Sequence, residues 1–196
     1  MSDYIKIELT KGKHVLIDAE DEEKVLRWYR DKPETWYASV MQPEKNNDRF
    51  IYAEKRLTKK QAAYINETYP GILKPKANGD TTKNLLMHRL IMEAPHNMFV
   101  DHINGNTLDC RKENLRLCTF AQNCQNRKRR SDASSKHAYI GVSEFPPGKF
   151  RGYTKTNGKD NYTKYFDNPK EAAIARDRLV KEAYGEFARL NFPEEQ

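Results

Sequence analysis

Residues 100–126 read VDHINGNTLDCRKENLRLCTFAQNCQN, and this stretch decides the fold of the middle of the chain. Phe99-Val100-Asp101-His102 and Leu115-Arg116-Leu117-Cys118 are short apolar-polar runs with strand character. Between them, Asn104-Gly105-Asn106 supplies residues that tolerate positive φ and so mark a turn. Thr119-Phe120-Ala121-Gln122 has the form of a capping box that opens a helix. The order is strand, long loop, strand, helix. It puts Asp101 and His102 at the end of the first strand and Asn123 just inside the helix, with Asn114 between them.

A carboxylate beside an imidazole, with amides at fixed downstream positions, suits a site for a hard metal ion and a base that activates water. Asp101 offers a hard oxygen and Asn123 an amide oxygen. Two protein oxygens leave most of a coordination shell to water and substrate phosphate, which fits Mg2+ or Mn2+ better than zinc. Adjacent strand residues point to opposite faces, so the strand must end or twist at His102 if both are to serve one phosphate. The Asn-Gly turn that follows allows this. His102, neutral near its reference pKa of ~6.5, would take the proton of the attacking water. A hairpin salt bridge with capping amides is the competing structural account of the same residues. His88, in Met87-His88-Arg89-Leu90-Ile91-Met92, reads equally as a site residue or a hydrogen-bonded core histidine.

Working outward, the 196 residues carry a net charge of +7, with 32% charged, 37% hydrophobic and 11% aromatic side chains. That aromatic content argues for folded cores joined by polar connections. No apolar run approaches a membrane span and the start, MSDYIKIELTKGK, lacks a secretory core, so a soluble cytoplasmic protein is expected. Cys110, Cys118 and Cys124 form no CxxC pair, against a zinc knuckle. Between Arg111 and Lys136, eight basic residues face only Glu113 and Asp132, nearly the whole excess charge of the chain. Within it Arg127, Lys128, Arg129 and Arg130 are candidates for phosphate contact, the counterion-releasing part of nucleic-acid binding.

Three regions separate by pattern. Residues 1–75 read as a small β-rich α+β region: a hairpin around Lys11-Gly12-Lys13, a helix from Asp21, strands at Trp36–Val40 and Arg49–Ala53, and a helix over Thr58–Tyr69. This region is expected to pack on the core that follows. After the polar break Lys74–Lys83 comes the core itself, 85–130. A basic, Ser-rich linker, 128–137, leads to 138–193, with strand-like pieces at Tyr139–Phe145, Lys149–Thr156 and Tyr162–Phe166. A helix then starts at Pro169, carrying Ala172, Ala175, Leu179 and Ala183 on one stripe and ending near Gly185. The simplest fold for this part is a three-stranded antiparallel sheet packed on one helix, within an α+β chain.

The run DHINGN, ENLRLCT and QNCQN resembles the HNH endonuclease family, with its ββα-metal hairpin, in its phage and intron homing branch. By position the resemblance implies Asp101 as first metal ligand, His102 as base, Asn114 as the brace that orients it, and Asn123 as last ligand. Many members carry histidine where Asp101 and Asn123 stand here, so oxygen ligation and Mg2+ or Mn2+ are implied. The third region resembles the AP2/ERF DNA-binding domain through Tyr139-Ile140-Gly141-Val142, Gly152-Tyr153, Lys164-Tyr165-Phe166, Glu171-Ala172-Ala173 and Gly185–Pro193. In that family the sheet face lies in the major groove. Arg151, Tyr153 and Lys155 share a face by alternation, with Tyr162 and Lys164 able to join it. Together the resemblances imply a metal-dependent endonuclease acting on double-stranded DNA, nicking as a monomer. A non-catalytic DNA-binding regulator on an HNH scaffold, and a structure-specific or RNA nuclease, are the alternatives.

Overall fold

A computed structural model of the chain describes residues 3–27, 36–40, 51–125, 139–156 and 159–193. Arg127, Lys128, Arg129 and Arg130, the linker 128–137, the expected turn at Lys45–Asp48 and part of the turn at Asn157-Gly158-Lys159 lie outside the described residues. The architecture is mixed α+β, built from several small sheets and a few helices. The chain divides into two compact units, residues 1–120 and 121–196. Among the described residues no helix is long and apolar enough to cross a membrane.

The first unit opens with an antiparallel hairpin, β1 (Tyr4–Glu8) and β2 (His14–Asp18), in register Ile7 with Val15. The tight connection needs left-handed backbone at Lys11 and Gly12. Alternation along β2 sends Val15 and Ile17 fully into the core. After the short helix α1 (Glu22–Leu26), an antiparallel sheet forms from β3 (Tyr37–Val40), β4 (Ile51–Arg56) and β5 (Asn84–Leu86), with β4 in the middle. Strand β4 runs three residues beyond the piece expected from sequence, because Glu54, Lys55 and Arg56 continue the ladder against β5. Helix α2 (Lys59–Thr68) is closed at its start by a reciprocal capping box between Thr58 and Gln61. Trp36 is fully buried and donates its indole N–H to the carbonyl of Val25 at 3.3 Å, joining β3 to α1 inside the core.

Strand β5 runs directly into the short helix α3 (Met87–Ile91), whose Met87, His88, Leu90 and Ile91 are buried. Arg89 ties the chain after α3 by donating to the carbonyls of Ala94, Pro95 and Met98. Then β6 (Phe99–His102) pairs antiparallel with β7 (Leu115–Cys118), Asp101 opposite Arg116 and His102 opposite Leu115. The loop between them is carried on the N-terminal hairpin: Leu16 N–H donates to Leu108 and Cys110 N–H donates to Leu16, at 2.9 and 2.8 Å. Helix α4 (Phe120–Gln125) follows β7.

The second unit holds an antiparallel sheet in which β9 (Phe150–Thr156) lies between β8 (Val142–Glu144) and β10 (Lys159–Tyr162), with helix α5 (Pro169–Tyr184) against β9. Strand β8 is shorter than the Tyr139–Phe145 piece, and β10 lies earlier than the expected Tyr162–Phe166. Tyr162 is opposite Tyr153 whereas Phe166 bridges Phe150, so four steps oppose three and the strand carries one extra residue. The buried stripe of α5 is also not the one periodicity suggested. Ala172, Ala173, Arg176, Asp177 and Val180 face inward while Ala183 is exposed. The polar pair is buried because it is occupied: Asp177 accepts from the N–H groups of Asn191 and Phe192, and Arg176 donates to the Arg189 carbonyl.

Candidate active site

Strand β6 ends at His102, and the chain turns at once through Asn104-Gly105, Gly105 taking φ of 74° and donating its N–H to the His102 carbonyl. The loop is held by its own side chains. Asn114 is 5% exposed; its amide oxygen accepts from Asn104 N–H at 2.9 Å and its amide nitrogen donates to the Asp109 carbonyl at 2.8 Å. Its backbone carbonyl also accepts from Ile103 N–H at 2.9 Å. Asn104 and Asn106 form local turns, each accepting from the N–H two residues on. Asp109, buried, receives a two-pronged bond from Arg111 and one from Asn104. These bonds, Arg111 first, hold its carboxyl below the ordinary 3.8.

Asp101 and His102 are 6% and 5% exposed. The Asp101 carboxylate accepts from Nε and a terminal nitrogen of Arg116, at 2.9 and 2.7 Å, both at Oδ2. Arg116 is its cross-strand partner, so the pair follows from the hairpin register. His102 has a different environment. Its ring meets that of His88 edge-on, centroids 5.1 Å apart, and that of Tyr52 at 6.1 Å, with the Cys110 sulfur 4.0 Å from Nε2. Burial pushes the His102 imidazole down to about 4, against the charges of Asp101 and Asp109, which favour protonation. His88 is driven well below 6.5, by burial first and then by His102 and Arg89, and its Nδ1 is buried with no hydrogen-bond partner among the described residues. Burial likewise raises the Cys110 thiol, which therefore stays protonated. Both imidazoles are neutral at neutral pH, each with one protonated and one unprotonated ring nitrogen.

Asn123 lies on α4, half-buried, in the second unit. Among the described residues no group of three or more His, Cys, Asp or Glu side chains converges as a metal cage. The donor chemistry at Asp101 is one carboxylate already facing a guanidinium. Any divalent ion held there would take most of its coordination shell from water and substrate phosphate. Asp109, Arg116, Cys110 and Tyr52 were not singled out from the sequence. Arg116 was within reach, because pairing Phe99–His102 with Leu115–Cys118 sets it opposite Asp101. The others depend on contacts between distant segments.

On the C-terminal sheet, Gly152 and Thr154 are buried toward α5, which leaves Arg151, Tyr153 and Lys155 on the other face. The Arg151 guanidinium lies over the Tyr162 ring at 4.1 Å and the Tyr165 ring at 5.4 Å, and Tyr153 packs on Tyr162 at 5.4 Å. Lys155 faces Asp160 at 3.8 Å. The Lys164 ammonium sits over the Phe166 ring at 5.4 Å, and the extra residue after Tyr162 brings Tyr165 to Arg151.

With this geometry in view, residues 86–125 match the model of the HNH endonuclease family. The match encloses α3, the β6–β7 hairpin and α4. An uncharacterized HNH endonuclease of Acanthamoeba polyphaga mimivirus is 32% identical over 107 residues, 54% of this chain. The chain spans about half the length of that relative, 54%. No solved structure matches the chain. The match is to a nuclease family, whose substrates are nucleic acids.

Proposed function

We propose that this chain is a metal-dependent endonuclease that hydrolyses a phosphodiester of double-stranded DNA, nicking one strand per engagement as a monomer. The observation that carries the reading is His102: a buried, neutral imidazole at the end of β6, beside a carboxylate, inside the segment that matches the HNH endonuclease family. In this reading His102 takes the proton from the attacking water at an unprotonated ring nitrogen. Asn114 holds the loop from Ile103 to Asp109 and so fixes where β6 ends. Asp101 and Asn123 would hold Mg2+ or Mn2+. When bound, the ion acidifies water and neutralises charge on the phosphoryl oxygens. That help matters here, since burial keeps the His102 imidazole neutral at neutral pH and also makes it a weaker base.

DNA would be held by the basic run that includes Arg127, Lys128, Arg129 and Arg130, and by an AP2-like sheet presenting Arg151, Tyr153 and Lys155. The reading of that sheet is supported by its three antiparallel strands on one helix and by the cation and aromatic rings on the face away from the helix. Lys164 keeps a charge near the sheet edge and would serve as a phosphate contact only.

The test is relaxation of supercoiled plasmid with Mg2+, Mn2+ or EDTA, wild type against His102→Ala. Metal-dependent nicking, lost in the variant while duplex binding persists, is the expected result. The Asp101–Arg116 ion pair favours a second reading, a DNA-binding protein that keeps the hairpin as a scaffold. Tight duplex binding with no cleavage by the wild type in either metal would leave only that second reading.

A further inference from the structure

Tyr52 is carried by β4, outside the matched segment, yet its ring stands with the two histidines. Ring centroids are 5.3 Å from Tyr52 to His88, 6.1 Å from Tyr52 to His102 and 5.1 Å from His88 to His102. All three separations fall within the range of direct aromatic contact, in tilted and edge-on arrangements that such rings prefer. Core packing does not explain this placement. Alternation on β4 gives Ile51, Ala53 and Lys55 to the buried side and Tyr52, Glu54 and Arg56 to the other. Tyr52 is therefore on the face of the sheet that the hydrophobic core does not use, and it is spent on the histidines.

His102 is met from outside its own strand. It is the last residue of β6, followed at once by a turn, and the contacts of its ring described above are to rings and to a thiol at 4.0 Å. An imidazole can rotate about its terminal torsion unless neighbours define its plane. His88 supplies one wall, edge-on at 73°, from the buried side of α3, and Tyr52 supplies a second from β4.

We propose that Tyr52 is a positioning residue for His102, its ring and that of His88 forming the seat that fixes the plane of the imidazole. The N-terminal sheet is then part of the catalytic apparatus. This rests on the reading of His102 as the base. A base displaced by a fraction of an ångström or turned out of plane loses rate without losing substrate affinity.

The experiment measures kcat and KM for plasmid nicking in Mg2+ with the full chain carrying Tyr52→Leu, Tyr52→Phe or His102→Ala, each checked for folding by circular dichroism. Tyr52→Leu is expected to lower kcat by about 10- to 100-fold with KM within about two-fold of wild type. Tyr52→Phe, which keeps the ring, restores kcat to within a few-fold. In spectra of ring-labelled histidine, the wild type shows His102 in one tautomer with cross-peaks to the Tyr52 ring, and Tyr52→Leu loses that single state. A folded Tyr52→Leu protein with wild-type kcat, alongside an inactive His102→Ala, overturns this inference alone. Undiminished cutting by His102→Ala overturns the reading of the base, and the inference with it. If Tyr52→Leu does not fold, absence of His102–Tyr52 cross-peaks in the wild type overturns the proposal, and their presence with an active Tyr52→Phe supports it.

Discussion

Two carboxylates, Asp101 on β6 and Asp109 in the loop after it, are paired with arginines, and each pairing carries its own consequence. Asp101 is buried against Arg116, so removing the guanidinium leaves a carboxylate short of a cation in a site of low dielectric. Arg116→Gln should destabilise the metal-free protein by about 2–3 kcal/mol, measured by urea unfolding in EDTA. Adding Mg2+ should raise the variant's midpoint more than the wild type's, because the ion then meets a carboxylate that no guanidinium shares. An equal response in both proteins would deny that the metal reaches Asp101. Asp109 is pinned by Arg111 and Asn104 and titrates below its ordinary 3.8. The folded state therefore binds fewer protons than the unfolded state on the acid side. Stability from this group is present in full above about pH 4 and is lost as pH falls through the folded pKa. Asp109→Asn should cost about 1–2 kcal/mol at pH 6 and progressively less as pH falls below about 4, which urea midpoints measured across that range will show. At this scale the turn after His102 and the bracing of its loop by Asn114 were readable, because these residues lie close together in the chain. Tyr52 was not readable: it joins the histidines through a sheet whose partners are set by chain segments far apart in sequence.

Among the elements, the β6–β7 hairpin and the helices α2 and α5 were legible from alternation and capping, while the inward face of α5 was not. Apolar periodicity pointed to Ala172, Ala175, Leu179 and Ala183, of which Ala172 is buried. The helix instead turns Arg176 and Asp177 inward, since backbone N–H groups of Asn191 and Phe192 and the Arg189 carbonyl need partners there. No pattern along α5 alone announces that need. The close approach it produces has a measurable cost. A Cβ added at Gly152 would lie 2.4 Å from the Arg176 Cβ and 2.9 Å from the Ala172 carbonyl oxygen, so strand and helix would have to part. One at Gly141, where φ is +67°, would meet the Tyr153 carbonyl at 2.7 Å. Gly152→Ala should destabilise the C-terminal unit by about 2–3 kcal/mol through overpacking, seen as a lower urea midpoint followed by the near-ultraviolet signal of its tyrosines. An unchanged midpoint would mean that β9 and α5 are less closely packed than these distances require. The bulge after Tyr162 is the other element-scale correction. It brings the Tyr165 ring, beside that of Tyr162, under the Arg151 guanidinium.

For the whole molecule, the proposed base and the proposed DNA-contact sheet lie in different compact units, with Asn123, the second proposed metal ligand, in the unit that holds the sheet. The first contains Asp101, His102 and their supports; the second contains the sheet with Arg151, Tyr153 and Lys155. In the proposed reading the sheet contributes to DNA affinity and not to the chemical step, and salt is the variable that separates them. A chain of net charge +7 that neutralises phosphates releases counterions, so the logarithm of its binding constant falls linearly with that of salt. Each phosphate contact adds about 0.9 to the magnitude of that slope. The double substitution Arg151→Ala with Lys155→Ala should therefore weaken duplex binding and reduce the slope by roughly 1–2. Removing Arg151 also takes the guanidinium off the Tyr162 and Tyr165 rings, so a loss of affinity with unchanged slope would indicate disturbed packing on the sheet and not phosphate contact. At DNA concentrations that saturate the variant, the nicking rate should equal the wild type's, because His102 and its neighbours in the first unit are untouched. If the saturated rate falls while the slope holds, the sheet acts in the chemical step and the division of labour proposed for the two units is wrong.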